Sequence, residues 1–229
     1  MAFRSIASAQ AHTTSVAVAA PTGITDGDIL VCAVAYYDVN THTISLPTGF
    51  TQWYAQGPLG TYHGWAIGWK RASSESGTYT VSVDTAACAE LDAYVAAYSG
   101  RLATGDPLTA GSNTKYETAD TNIVAAGVTA AAGDDVIFFG GGRAGSTMTI
   151  AAPSGMNARA EYEDATNYFC STFADLENVS AGATGDKTAT TTVSINRKHG
   201  FLLSLAKATV VATSTPKRSG RFHIGPFSC

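Results

Sequence analysis

The sequence predicts an all-β protein, an antiparallel β-sandwich of jelly-roll-like type with about ten strands. Three observations lead to this prediction. Charged residues make up only 14% of the 229 residues and the chain contains 23 glycines, a composition typical of short strands joined by tight turns. Apolar and polar residues alternate in segments such as "TYTVSVD", where Tyr79, Val81 and Val83 share one face. One Pro-x-Gly corner occurs twice, at an offset of 106 residues.

The two corners are "ISLPTGF", which begins at Ile44, and "IAAPSGM", which begins at Ile150. Proline cannot donate to a strand ladder and so ends the strand, and the glycine two residues later permits the turn. The same offset aligns "SVAVAAPTGITDGDILV" (15–31) with "TNIVAAGVTAAAGDDVI" (121–137), and later segments follow in the same order. We therefore predict two diverged copies of one unit, about 15–105 and 121–206.

Two copies can be arranged in two ways. They can form two small sandwiches, or they can lie face to face as one sandwich of about ten strands. The join at 101–120 is short, and half-size sheets would leave apolar faces uncovered, so a single sandwich over residues 1–206 is favoured. The nearly continuous apolar run "DILVCAVAYY" predicts a strand that is buried on both faces or lies in a sandwich core.

Charge is distributed unevenly along the chain. Residues 1–206 carry 10 basic and 18 acidic residues, a net charge of −8, whereas residues 207–229 carry four basic residues and no acid. A body with this charge argues against nucleic acid as a partner. No run of 18 apolar residues exists, so no membrane partner is predicted, and the N-terminus lacks the apolar stretch of a signal peptide. Cys32 and Cys170 lie within strand patterns and are predicted to be buried.

Residues 207–229 are predicted to form an extended C-terminal arm. Pro216, Gly220, Gly225 and Pro226 interrupt any strand pattern there. The arm combines apolar anchors with cations, so it could add to a neighbouring acidic subunit as an edge strand. A terminal cysteine could pair with a partner cysteine under oxidising conditions, and a solvated tail is the alternative. The predicted partner-binding residues are Arg218, Arg221, Phe222, Ile224, Phe227 and Cys229.

No catalytic, cofactor-binding or metal-binding residues are predicted. "GGGRAG" (140–145) formally matches a dinucleotide motif, but a strand pattern follows where that motif needs a helix, so a hairpin tip is expected. The histidines show no metal-ligand spacing and are expected in loops or on strand surfaces. Glu161, Glu163 and Asp164 could serve glycoside hydrolysis, although a solvated strand edge is the preferred interpretation.

Aromatic residues offer a further candidate site. "QWYAQGPLGTYH" (52–63) is predicted to be a hairpin loop with exposed aromatic residues, Trp53, Tyr54 and Tyr62 among them, suited to contact a partner or a glycan. Trp65 and Trp69 alternate within a strand pattern and are instead assigned to the core.

The order of these segments resembles a recurring type of tailed-bacteriophage virion protein. In such proteins a Gly-Asp turn precedes an apolar strand, a "P-x-G-[FW]-T" corner, an aromatic strand ending in lysine, a "Y-T-[VF]" strand and a "Y-S-G" exit. The matching positions are Gly27-Asp28, Pro47 to Thr51, Lys70, Tyr79 to Val81 and Tyr98 to Gly100. The second copy lacks the Tyr-Ser-Gly exit and the full Gly-Phe-Thr.

The resemblance implies a β-sandwich displayed on a virion, as capsid decoration, neck or tail collar, or fibre module, and made in the host cytoplasm. It brings no catalytic residues. The expected function is therefore that of a non-enzymatic structural protein that binds copies of itself and other virion proteins. The first alternative is a carbohydrate-binding adhesin module on a virion or cell surface, and a glycan-active enzyme ranks third.

Overall fold

A computed structural model describes residues 3–59, 63–84, 87–116, 118–195 and 197–208. These residues form antiparallel strands and no helix, so the predicted all-β class is confirmed. There is accordingly no helix in this part of the chain that could span a membrane. Residues 209–229, the greater part of the predicted C-terminal arm, lie outside the described residues.

The first half of the chain forms one five-stranded and one three-stranded sheet. Its strands are β1 (Phe3–Ala11), β2 (Ser15–Ala19), β3 (Ile29–Tyr37), β4 (Ile44–Ser45), β5 (Thr51–Leu59), β6 (His63–Arg71), β7 (Thr78–Val83) and β8 (Glu90–Tyr98). The five-stranded sheet has the order β1-β8-β3-β6-β5, and the three-stranded sheet has the order β2-β7-β4. We call them the inner and the outer sheet of this half.

The second half repeats this organisation. Its strands are β9 (Leu108–Tyr116), β10 (Asp120–Ala125), β11 (Thr129–Ala130), β12 (Asp135–Arg143), β13 (Ile150–Ala151), β14 (Asn157–Asp164), β15 (Phe169–Leu176), β16 (Gly182–Ala183), β17 (Lys187–Ile195) and β18 (Arg197–Leu205). The inner sheet has the order β14-β15-β12-β18-β9, and the outer sheet has the order β10-β17-β13. The pair β11-β16 has no counterpart in the first half. Without it, the outer sheets match strand for strand, and the inner sheets match when the second one is taken from β9 to β14, with β9 in the place of β1.

The repeated turns also match in detail. The N–H of Phe50 donates to Pro47 O and the N–H of Met156 donates to Pro153 O, each at 3.1 Å. Both corners need the glycine, because Gly49 has a φ of 86° and its counterpart at position 155 has a φ of 79°. The corners therefore share one geometry at the offset found in the sequence. Descent of the two halves from one duplicated unit stays a prediction.

Four layers result from the packing of these sheets. The two inner sheets face each other across a central core with contributions from both halves, and each outer sheet covers the other face of its own inner sheet. Along β3, Ile29, Val31 and Ala33 enter the central core, whereas Leu30 and Cys32 enter the outer core. This explains the apolar run in the sequence, since both faces of the strand are buried.

The two arrangements left open by the sequence thus occur together. Each half is a small sandwich, and the two small sandwiches join through their inner sheets. The predicted number of about ten strands fits the two inner sheets, but the described residues form 18 strands in all. The strand count was too low partly because β5 lies in the segment predicted as a hairpin loop (52–63) and β9 lies in the predicted join between the copies (101–120).

The glycine run at 140–142 is not the expected hairpin tip, because it lies inside strand β12. Its residues pair with β15 on one side and β18 on the other. A Cβ atom added at Gly141 would lie 2.1 Å from Cys170 O, and one added at Gly142 would lie 2.4 Å from Arg197 O. Glycine is therefore required by the close approach of neighbouring backbones.

Candidate functional site

A cluster of buried carboxylates lies where the two halves meet. His12 follows β1, Glu90 begins β8, and Asp164 ends β14 of the second half. His12 Nε2 lies 3.0 Å from Glu90 Oε2 and 3.6 Å from Asp164 Oδ2. One nitrogen or oxygen atom from each of the three residues falls within 4.8 Å of the others. We call these residues, together with Asp92, the seam cluster.

Burial makes the ionised forms of these carboxyl groups energetically unfavourable. Glu90 and Asp92 are fully buried, and the accessible fraction of Asp164 is 9%. The Glu90 carboxyl contacts the carboxyl groups of Asp92 and Asp164 as well as the hydroxyl of Tyr162. Carboxylates in this state are costly unless a proton or a cation compensates their charge.

Hydrogen bonds extend the cluster through both halves. Ser171 Oγ donates to Asp92 Oδ2 at 2.7 Å and lies 2.7 Å from the hydroxyl of Tyr94. The side-chain amide of Asn167 donates to Asp164 Oδ2 at 2.7 Å and to Ala89 O at 2.8 Å. The side chain of Asn167 thus links the β14–β15 turn of one half to the segment before β8 of the other.

The carboxyl groups of the seam cluster do not titrate alike. Burial, reinforced by the nearby Asp164 charge, raises the pKa of Glu90. Burial and the Glu90 charge raise the pKa of Asp92 well above its usual value. Burial also opposes ionisation of Asp164, but contact with Glu90 and N–H donors of Thr166 and Asn167 lower the pKa of Asp164. The cluster therefore holds at least one carboxyl that resists ionisation near neutral pH beside one that ionises readily.

The other candidate carboxylates have a structural role. Strand β14 is an edge of its inner sheet, and Glu161 and Glu163 are exposed on it. Glu161 accepts a hydrogen bond from the N–H of Ala152 at 3.1 Å, and Glu163 accepts one from the N–H of Ile150 at 2.8 Å. These two side chains tie the edge to β13 and to the residue that follows it, and only Asp164 reaches the seam cluster.

The predicted aromatic loop included Trp53, Tyr54 and Tyr62, of which the structure describes the first two. For these two residues the prediction of an exposed loop is wrong. Trp53 and Tyr54 lie in strand β5 and are half-buried. The ring of Tyr54 packs against Phe201 with centroids 4.9 Å apart, and its hydroxyl donates to Asn113 Oδ1 at 3.2 Å. The two rings therefore pack against the second half and are only partly exposed to solvent.

The remaining site residues of the sequence analysis lie outside the described residues. They are Tyr62, Arg218, Arg221, Phe222, Ile224, Phe227 and Cys229. The described cysteines, Cys32, Cys88 and Cys170, are buried and form no disulfide. The predicted burial of Cys32 and Cys170 is therefore confirmed.

The histidines were expected in loops or on strand surfaces. His42 lies in the loop between β3 and β4 but is buried, whereas His63 and His199 are buried within strands. His42 Nε2 lies 2.6 Å from Asp38 Oδ2, and its Nδ1 lies 3.2 Å from Asp84 Oδ1. His63 stacks on Phe169, and His199 stacks on its near neighbour Phe201 with centroids 4.2 Å apart. Burial, reinforced by nearby cationic side chains, lowers the pKa of His63 and of His199 to about 3. Both rings therefore serve as neutral core aromatics.

Comparison of the chain with protein-family models, with curated proteins and with solved structures finds no significant match. The resemblance to phage virion proteins therefore stays a prediction.

Proposed function

We propose that this chain is a structural protein of a tailed-phage particle that binds copies of itself and neighbouring virion proteins. Binding would use the edges of the inner sheets and the C-terminal arm. The observation that carries the proposal is the contrast between two kinds of edge strand. Among the described residues, β1 pairs only with β8, and β9 pairs only with β18.

Strands β5 and β14 carry features that discourage further pairing. The register of β5 is broken twice, and the strand contains Pro58. The register of β14 is broken once, and the strand carries Arg159, Glu161, Glu163 and Asp164. Bulges, prolines and charges are the devices by which sheet edges avoid adding another strand.

Strands β1 and β9 lack these features over most of their length. Each has nine residues and one charged side chain, Arg4 in β1 and Lys115 in β9. Each departs from regular pairing only near one end, at Phe3 to Ser5 in β1 and opposite Ser204 and Leu205 in β9. A regular, weakly charged edge offers a row of backbone donors and acceptors to a strand of another chain.

The start of the predicted arm adds a second contact region. Lys207 pairs with Arg101, and the N–H of Ala208 donates to Gly100 O at 3.0 Å. A cavity of about 470 Å³ lies beside this point, with Leu102, Ala130 and Ala206 among its lining residues. The pairing places the start of the arm beside the segment that joins the two halves, and the adjacent cavity could receive an apolar anchor from the arm of a second copy.

The glycan-binding alternative receives less support. It depended on exposed rings, and Val39 is the one large apolar side chain that is strongly exposed in the described part of the chain. The enzyme alternative named Glu161, Glu163 and Asp164. The carboxylates of Glu161 and Glu163 accept hydrogen bonds from the N–H groups of Ala152 and Ile150, and only Asp164 reaches the seam cluster. The structural proposal is accordingly the function that we carry forward.

Lysine substitutions on β1 test the edge contact. Ser8 and Gln10 are exposed on this strand, so Ser8→Lys with Gln10→Lys should leave the fold intact. We expect incorporation into particles, or self-association of the isolated chain, to fall at least tenfold, because charge opposes strand addition. Thr190→Lys, exposed on the central strand of an outer sheet, is the matched control. Equal incorporation of the β1 variant and this control would refute edge binding.

Deletion of residues 212–229 tests the arm separately. The truncated chain should keep its thermal stability but fail to join the particle, because the deletion removes Phe222, Ile224 and Phe227 with the cations beside them. Normal incorporation of the truncated chain would show that the arm is dispensable.

A further inference from the structure

We infer that His12, Glu90 and Asp164 of the seam cluster bind one divalent cation of the zinc class. This inference concerns a different part of the molecule from the edge strands and is independent of the proposed function. It is carried by the geometry of the three ligand atoms and by the mutual contact of buried carboxyl groups.

Two of the three distances between the ligand atoms match the spacing that a zinc ion requires, and all three atoms lie within 4.8 Å of one another. Zinc binds histidine nitrogen and carboxylate oxygen at about 2.0–2.2 Å in tetrahedral geometry, which places neighbouring ligand atoms about 3.3 Å apart. His12 Nε2 lies 3.0 Å from Glu90 Oε2 and 3.6 Å from Asp164 Oδ2. An ion between these atoms would therefore need little movement of the side chains.

Buried carboxyl groups in mutual contact point independently to a missing positive group. Glu90 and Asp92 are fully buried, and the carboxyl group of Glu90 contacts those of Asp92 and Asp164. Buried carboxylates in natural proteins are almost always paired or bound to metal. The imidazole of His12, whose side chain is 54% exposed, lies within ion-pair distance of Glu90 and Asp164.

The surrounding residues would orient the ligands. Asn167 donates to Asp164 Oδ2, and Ser171 donates to Asp92 Oδ2. Hydrogen bonds of this kind fix ligand orientation in metal sites. The exposure of His12 leaves a fourth coordination position open to water.

The ligand set selects the class of metal. One imidazole with two carboxylates suits zinc and similar transition metals, whereas calcium and magnesium prefer oxygen ligands alone. Because Glu90 belongs to the first half and Asp164 to the second, the ion would also connect the halves.

Calorimetric titration of the chelator-treated full chain with zinc chloride tests this inference. We expect one zinc ion per chain at the seam cluster and a rise in Tm of about 5–10 °C when zinc exceeds its dissociation constant a hundredfold. Absence of zinc binding to the full chain would overturn the inference.

Variants show whether the seam cluster is responsible. His12→Ala should fold normally, since His12 is largely exposed, and should lose the zinc-dependent rise in Tm. Glu90→Gln should lose it as well, because the amide cannot supply a charged ligand. Glu163→Gln, next to Asp164 but outside the cluster, is the matched control and should behave as the parent chain. An unchanged rise in Tm in His12→Ala would overturn the assignment.

Cobalt serves as a spectroscopic probe of the ligands. Cobalt bound by nitrogen and oxygen should show visible bands that zinc abolishes, without the thiolate charge-transfer band expected if Cys229 were a ligand. A thiolate band that persists in His12→Ala would assign the metal to the C-terminal residues instead.

Discussion

Replacing Phe139 by alanine is expected to lower the free energy of unfolding by about 3–5 kcal/mol. Phe139 is fully buried in the central core. Its ring lies 5.4 Å from Trp65 and 5.7 Å from Tyr94 of the first half, and 6.3 Å from Phe201 of the second. The substitution would therefore leave a cavity that both halves line. Urea unfolding monitored by tryptophan fluorescence measures the loss.

Phe138→Ala is the matched control. Phe138 is adjacent in the chain and equally buried, but its ring faces the outer core of the second half. Both variants should be destabilised. If the halves share one core, the parent chain and both variants should each unfold in a single calorimetric transition. Two separate transitions in the parent chain, with Phe139→Ala affecting neither, would contradict the shared core.

Replacing Arg101 by methionine is expected to cost about 3–5 kcal/mol near neutral pH. Arg101 Nη2 lies 3.0 Å from Asp135 Oδ2, and both side chains are fully buried. Arg101 also donates to Ser99 O at 3.1 Å. The substitution would leave the Asp135 charge without its cation in the interior, between the segment that joins the halves and β12. Urea unfolding at several pH values measures the effect.

The cost should decrease on acidification. Burial raises the pKa of Asp135 to about 6, although the N–H of Asn178 and the charge of Arg101 lower it. Because the pKa of Asp135 is higher in the folded chain than in the unfolded chain, protonation of Asp135 favours the folded state. This stability is complete below pH ~4 and is lost as the pH rises through about 6. Removal of Arg101 raises this pKa further, so the variant should lose less stability at pH 5 than at pH 7.5. An equal loss at both pH values would contradict the ion pair.

A double variant controls for lost packing. Arg101→Met with Asp135→Leu removes both charges, and buried ion pairs replaced by apolar residues often lose little stability. The double variant should therefore be more stable than Arg101→Met alone. If it is not, the loss comes from packing or from the carbonyl groups that Arg101 contacts.

The sequence predicted those features that depend on local chemistry. Strand β3 was evident because both of its faces are apolar, and the corners at Pro47 and Pro153 were evident because proline and glycine have few other roles in strands. The glycines of β12 were misread, because the neighbouring backbones that require them come from β15 and β18, which are distant in sequence.

The seam cluster was missed for a similar reason. More than 70 residues separate His12 from Glu90 and Glu90 from Asp164, so these residues form no recognisable sequence motif. One signal was present: Glu90 and Asp92 alternate in "ELDAYVAAY", a strand that is otherwise almost wholly apolar. Acidic residues on one face of a buried strand indicate either a compensating partner or a functional site.

The histidines show where tertiary packing overrides residue type. His63 and His199 were expected in loops or on strand surfaces, as is usual for histidine. The central core instead accepts both as neutral rings beside Trp65, Phe169 and Phe201. Neighbouring positions in the sequence contain no information about this burial.

Mass spectrometry of particles is the most direct test of the proposed structural role. Cells that express this chain together with the phage genome that the proposal requires would supply the particles, which would be purified by density and then washed in high salt. The account predicts that the intact chain remains with the particles in a fixed number of copies, since strand addition and apolar anchoring resist salt. Absence of the chain from washed particles, while it accumulates free in the lysate, would contradict it.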